Sequence, residues 1–306
     1  VSQSSSERPL IGILFVALAT LAFALSDTTI KHLTANYSVQ VIAAIRYIVS
    51  LAVILAVLGP RLGARLWQTQ RTWLVVARGV CLSFATLTMG WALSRMPVGE
   101  AVSILYLSPF VVMLLAVPLL GEKVGPAAWI GAAIGFCGVL LIVRPGSGLD
   151  PLGVLFALLN AGIAVTYTLL SRGLAKTEST SAMMFYVTLV GAVFFVALAL
   201  PEFPTLDASA ADIGLMAFVG LLATGGHFLL TAAYRYAAAS MLAPITYLHL
   251  VWAAGLGFVF FAHIPDFLTL TGMALILTSG VAIAIRSHIE RRRAAVPASS
   301  AEIVPD

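Results

Sequence analysis

SRMPVGEAVSILYLSPFVVMLLAVPLLGEKVG (94–125) is the stretch on which the fold turns. Between Glu100 and Glu122 no residue carries a charge. A helix needs about 20 such residues, at about 1.5 Å each, to cross a hydrocarbon layer of about 30 Å. A helix on a water-soluble surface would carry charges along one face, and this one carries none. The stretch therefore predicts a membrane-spanning helix, closed by the turn GEKVG (121–125).

Outward from it, the same alternation runs the length of the chain. Apolar windows predict helices near 10–31, 39–58, 73–94, 98–120, 126–144, 151–172, 181–200, 211–234, 239–262 and 267–286. The connections are short, such as RPGSGLD (144–150) and HIPD (263–266), and none could house a soluble domain. Composition agrees. The 306 residues are 60% hydrophobic and 10% charged, against about 45–50% and about 25% in soluble domains. The run after Pro9 carries no small-residue cleavage site and reads as a first span rather than a removed signal peptide. The net charge of +4 does not point to nucleic acid, because the basic residues sit in loops between spans. Cys81 and Cys137 fall inside apolar runs and read as small buried hydrophobes.

Lys and Arg fix the expected orientation. Arg8, Arg61, Arg65, Arg71, Lys123, Arg172, Lys176, Arg235, Arg286 and Arg291–Arg293 fall on the side of the N-terminus; Lys31, Arg95 and Arg144 fall opposite. The positive-inside rule then puts both termini in the cytoplasm, and an even number of spans agrees.

Sliding the chain on itself by 141 positions brings its halves into register without gaps. Gly12, Leu14, Phe15 and Leu18 meet Gly153, Leu155, Phe156 and Leu159; Ile104, Tyr106 and Leu107 meet Ile245, Tyr247 and Leu248. The expected organisation is a first repeat over 1–145, a second over 146–288 and a disordered cytoplasmic tail over 289–306. With five spans per repeat, the second copy must cross in the opposite sense. Inverted pairs of this kind are a recurring transporter architecture, with the solute site at the repeat interface and alternating access by rocking. The expected fold is thus all-α, ten spans in two inverted five-helix repeats around a central cavity.

Ala92, Glu100–Ala101, Pro109, Gly121–Glu122, Gly131 and Gly138, as they stand in WALSRMPVGEAVSILYLSPF (91–110) and LLGEKVGPAAWIGAAIGFCGV (119–139), carry a resemblance. The chain resembles the repeated EamA-type domain of the drug/metabolite transporter superfamily over essentially its whole length, and within it the bacterial amino-acid exporter branch. The second half departs from the pattern: Glu122 meets His263, Pro109 meets Leu250 and Glu100 meets Met241, so no role of those acids carries across. The resemblance implies ten helices, both termini inside, a multi-pass protein of the bacterial inner membrane, and export or exchange of metabolites.

Ionisable groups within spans are costly and mark candidate sites. Asp27 and Lys31, four residues apart, read as an ion pair near the outer end of the first helix, with gating as the alternative. Arg46 and Arg78 lie some seven residues, about 10 Å, from their helix ends. Snorkelling or pairing with a carbonyl accounts for them. No Asp, Glu, Lys or Arg falls mid-helix in spans 1, 3, 4, 6, 8 or 9. An organic-cation site would want a central carboxylate and a phosphate site a central Lys or Arg. An uncharged middle suits a net-neutral solute, an amino acid above all, and multidrug or other metabolite transport is the alternative. The polar residues left there are the candidate binding set: Ser83, Thr86, Trp91, Tyr106, Ser108, Asn160, Thr224, His227, Tyr247 and His249. Close helix packing is the competing account of the small ones. Pro109 and Pro244 are candidate hinges, since each removes a backbone donor.

No phosphate-binding Gly-rich loop, nucleophile elbow, metal-ligand spacing or cofactor fingerprint is present in the sequence. The expected partners are a small solute and the lipid bilayer, with a homo-oligomer compatible and no nucleic acid. An intramembrane enzyme using His227 or His249 as base is the rival from another class; it would need a nucleophile or metal cluster at the same depth.

Overall fold

The computed structural model describes residues 9–120, 126–144, 146–175, 177–237 and 239–295. Glu122 and Lys123 of the GEKVG turn, Lys176, and the tail beyond 295 lie outside the described residues. Among the described residues the α-helices are α1 (Pro9–Leu33), α2 (Val39–Leu62), α3 (Thr72–Arg95), α4 (Val98–Leu105), α5 (Leu107–Leu120) and α6 (Pro126–Val143), then α7 (Pro151–Leu174), α8 (Thr180–Ala199), α9 (Ala210–Ala233), α10 (Ala239–Thr246), α11 (Leu248–Phe261) and α12 (Phe267–Ala295). Eight helical stretches are long and apolar enough to cross a membrane, and two shorter apolar helices, Trp129–Val143 and Phe267–Ile283, stand beside them.

The two halves repeat the same element order. The fourth predicted helix is broken at Tyr106 into α4 and α5, and its image is broken at Tyr247 into α10 and α11. A proline stands near each break, on opposite sides. Pro109 stands in the first turn of α5, where a missing N–H is harmless, and it leaves Leu105 O without its usual donor. Pro244 stands inside α10, three residues before its break.

Equivalent helices of the two halves pack against each other and run antiparallel. Tyr47 of α2 stacks on Phe195 of α8, while Ile54, further along α2, clusters with Phe185, earlier on α8. A Cβ on Gly131 of α6 would meet Ile283 of α12, and one on Gly138 would meet Gly272. The remaining long pairings are exchanged in the same way. Along α1 and α9, Gly12 faces Ala233, Phe23 faces Gly226 and Tyr37, just past α1, bonds Asp212. Along α7 and α3, Gly153 faces Arg95, Phe156 packs on Trp91, Asn160 bonds Ala85 O and Tyr167 bonds Arg78. Even the junctions correspond. The Tyr37 hydroxyl donates to Asp212 at 2.8 Å, and 141 positions on, the buried Glu178 accepts from the N–H groups of Gln70 and Arg71 at 2.8–3.1 Å.

Cys81 is half-buried and Cys137 lies exposed on α6, so the expectation of two buried thiols is corrected. The outward faces carry bare apolar side chains such as Leu155, Val193 and Phe258, as a surface solvated by lipid would.

Two predictions follow from packing and charge. A Cβ added at Gly138 would stand 2.6 Å from the Gly272 carbonyl oxygen, a backbone atom that cannot rotate away. Gly138→Ala should therefore lower stability by about 1–3 kcal/mol. Gly162→Ala, whose Cβ meets nothing within 4 Å, should leave it unchanged or raise it by up to about 1 kcal/mol. Melting of the detergent-solubilised protein reads both. Asp150 caps α7 and meets Arg95 at 3.2 Å; Asp266 accepts from Thr269 N and meets Arg144 at 2.6 Å. The Gly153 and Thr269 N–H bonds, chiefly, hold the two carboxyls below the usual carboxylate range. Their contribution is present above the unfolded value of about 3.9 and is lost as pH falls through the lower folded values. The Asp150→Asn/Asp266→Asn pair should flatten the acid limb of a melting-temperature profile below about pH 4.

Candidate functional site

A cavity of about 140 Å³ lies where α2, α3, α7, α8 and α9 meet. It sits toward one end of the bundle, reaching from Ile54 in the second half of α2 to the exposed Thr180 at the start of α8. Helix periodicity delivers its lining. Arg46, Tyr47, Ser50 and Ile54 step along one face of α2, and Ala223, Thr224, His227 and Thr231 along one face of α9. Several lining residues are images of one another at the 141 offset: Arg46 with Val187, Tyr47 with Thr188 and Leu82 with Ala223.

Charge enters from two arginines. Arg78, 9% exposed, donates Nε to Ser171 Oγ at 2.6 Å, Nη1 to Met183 O at 3.2 Å and Nη2 to the Tyr167 hydroxyl at 2.5 Å. Its guanidinium also lies over the Tyr167 ring, 4.4 Å from the centroid. Arg46 lies over Tyr47 at 5.1 Å. Arg78 does pair with a carbonyl, as its depth suggested, but its head group faces the cavity instead of reaching for the interface.

A second polar group lies deeper. Asp27 Oδ2 and His249 Nε2 are 3.1 Å apart, both largely buried. The rings of Tyr106 and Tyr247 stack with centroids 4.9 Å apart, and the Tyr106 hydroxyl donates to Thr246 O at 2.6 Å. Phe23 separates this cluster from the cavity, touching His227 at 5.1 Å and His249 at 6.2 Å. Beyond it the opposite end of the bundle is tied shut. Lys31 Nζ donates to the carbonyls of Leu93 and Met96 at 3.0 and 2.9 Å, the groups left over where α3 ends. The buried Glu100 meets His263 at 2.7 Å, its Oε2 without a partner among the described residues. The pair borders a loop-lined hollow of about 380 Å³.

The expected ion pair between Asp27 and Lys31 is therefore corrected: the carboxylate turns inward to His249 and the ammonium caps α3. Of the candidate binding residues, Thr224 and His227 line the cavity. Thr86 supports it through a 2.9 Å bond to the Tyr47 hydroxyl. Tyr106, Tyr247 and His249 join the deeper cluster, and Ser108 lies beside it at the start of α5. Ser83 bonds its own helix at Gly79 O, Asn160 ties α7 to α3, and Trp91 packs on Phe156, all away from the cavity. Pro109 is exposed on the outside of the bundle, its effect confined to the backbone, and Pro244 is half-buried. Sequence reasoning missed Tyr47, Tyr167 and Thr188. The available signal was an arginine several residues inside a span, which needs aromatic and hydroxyl neighbours to stay there.

The chain is similar to transporters throughout. It is 26% identical over 277 residues to the pseudopaline exporter CntI of Pseudomonas aeruginosa, covering 89% of this chain and 95% of that one. It is 27% identical over 293 residues to a riboflavin transporter of Rhizobium johnstonii, 94% of each. It is 25% identical over 266 residues to an S-adenosylmethionine uptake transporter of Rickettsia prowazekii, 87% and 90%. A solved crystal structure shares the fold with a TM-score of 0.64 at 22% identity, covering 96% of this chain and all of that one. The family model for EamA-like transporters matches 10–144 and again 151–285, two segments offset by the same 141 positions that relate Tyr106 to Tyr247. With both halves of a multi-pass helical protein matched, the chain belongs to the EamA-like transporter family.

Proposed function

We propose that this chain is a secondary transporter for a small organic metabolite, and that the cavity between its repeats is the solute site. The carrying observation is a cavity lined by helices of both repeats and holding two arginines, closed at one end by Phe23, the tyrosine stack and Lys31 and reaching the surface at the other near Thr180. That is an arrangement alternating access requires: one gate closed while the other is open. Relatives named for moving pseudopaline, riboflavin and S-adenosylmethionine support a metabolite as the cargo.

In this proposal the repeats are inverted, with ten crossings, and the antiparallel packing of α2 on α8 and of α6 on α12 supports it. The open end carries Arg61, Arg71 and Arg172 and faces the cytoplasm of a bacterial inner membrane, with both termini on that side. Rocking about the breaks at Tyr106 and Tyr247, beside Pro109 and Pro244, would pass the cavity from one face to the other. A net-neutral amino acid remains the second substrate choice; His227 and Thr224 in the lining favour it, and the arginines do not.

Two measurements test this. In a Cys81→Ala/Cys137→Ala background, Asp207→Cys should react with an impermeant maleimide added outside intact cells. Thr69→Cys should react only after permeabilisation; the reverse pattern would overturn the orientation. Proteoliposomes should exchange a labelled metabolite without ATP, and Thr224→Leu, which fills the cavity, should reduce that exchange at least about tenfold. No exchange across a panel of carboxylates, phosphate esters, amino acids and amines would remove the transporter proposal.

A further inference from the structure

We propose that the cavity is an anion site, in which Arg46 and Arg78 together hold the carboxylate or phosphate group of the solute; this rests on the cavity being the solute site. Two cations meet in one enclosed space, and no Asp or Glu lines it. Asp27 is engaged with His249, Glu100 with His263, Asp150 with Arg95, Asp266 with Arg144, Asp212 with Tyr37, and Glu178 with the backbone at Gln70 and Arg71; Glu202 and Asp207 stand in the loop before α9, outside the lining. Arg46 makes no hydrogen bond or ion pair with any described residue; its guanidinium lies over the ring of Tyr47.

Arg78 is buried and Arg46 half-buried; burying a guanidinium without a counter-charge is expensive, and a second cation lining the same cavity adds repulsion. A bound oxyanion would relieve both. The donors are arranged for one. Arg78 spends three of its five N–H donors on Ser171, Met183 and Tyr167, which fix its plane. Two remain, and the whole fork of Arg46 is unused. A fixed fork beside a free one matches the bidentate geometry by which arginine recognises carboxylate and phosphate. Ser50, Thr188 and Thr224 line the same cavity, but their hydroxyl groups donate to the carbonyls of Gly220 and Phe185, so the donors left for an anion are those of the guanidinium groups.

Divergence of the repeats sharpens the point. The images of Arg46 and Arg78 are Val187 and Val219, so both charges come from the first repeat. Arg78 also fastens α3 to α7 and α8, but Arg46 makes no such bond, and its image Val187 packs as a plain hydrophobe. The size also fits, since cavities of about 150 Å³ accept a benzene ring.

Matched aromatic probes test charge at constant shape. The purified full chain in detergent is melted with benzoate, phenyl phosphate, benzamide or benzylamine. Benzoate or phenyl phosphate should raise the melting temperature in a saturable way and benzamide and benzylamine should not; the anion that works distinguishes carboxylate from phosphate. Arg46→Gln, which breaks no hydrogen bond of the fold, should weaken that binding at least about tenfold. Arg46→Lys should recover part of it. Stabilisation by benzylamine or benzamide alone, no effect of either anion, or an anion response unchanged in Arg46→Gln would each overturn the inference. The flux assay separates the two proposals. Exchange of leucine with no anion response keeps the transporter and removes the anion site. Anion binding without exchange of any solute keeps the anion site and removes the transporter.

Discussion

Inside a bilayer every backbone N–H and C=O must find its partner within the protein. Helices meet that demand at each residue, and this chain interrupts helices within its spans at Tyr106 and Tyr247. The two interruptions close on each other. Leu250 N turns back to Tyr247 O, which frees the Thr246 carbonyl, and the Tyr106 hydroxyl from the other repeat supplies its donor. The stacked rings then bury the junction. The carbonyl freed by the break at Tyr247 finds its donor in the other repeat, so that break depends on the packing of the two halves.

Much of the fold was legible because spans and repeats are written in quantities that a sequence displays directly. An uncharged run of some twenty residues has few structural uses, and a gapless offset needs no knowledge of contacts. The break at Tyr106 was visible through Pro109, and the break at Tyr247 through Pro244, although their exact positions depended on which helical carbonyl lost its donor. The site was less legible. Scoring helices by the charge at their centres placed Arg46 and Arg78 at the margins and left an apparently neutral middle. Depth counted along one helix says nothing about which neighbouring helices enclose a side chain. Arg78 is enclosed by α7 and α8, from residues some ninety and a hundred positions distant. Asn160 erred the other way. A buried amide midway along a helix looked like cavity lining, yet it binds a carbonyl of α3 and serves to fasten two helices.

The functional proposals rest on the way symmetry and its violation divide the labour. Symmetric features build the frame: matching element lengths, exchanged helix pairings, paired breaks. Unsymmetric features supply the chemistry. Arg46 and Arg78 face valine images; Asp27 and His249 face Thr168 and Ser108; Glu100 faces Met241. A duplicated scaffold can keep its mechanics in both copies while each copy specialises a different set of side chains.

The junction contacts carry this logic to the ends of the bundle. Tyr37 with Asp212 and Glu178 with Arg71 occupy the same two positions of the repeat on opposite faces. If the copies were identical, exchanging their roles would turn a state open on one face into a state open on the other at no change in energy. The resting ensemble would then be split evenly between them. In the proposed transport cycle, a phenol–carboxylate bond at one end and a carboxylate–backbone clasp at the other would lift that degeneracy. The side on which an empty protein waits would then be set by residues that never meet the solute, and single substitutions there would reset it without touching what is recognised.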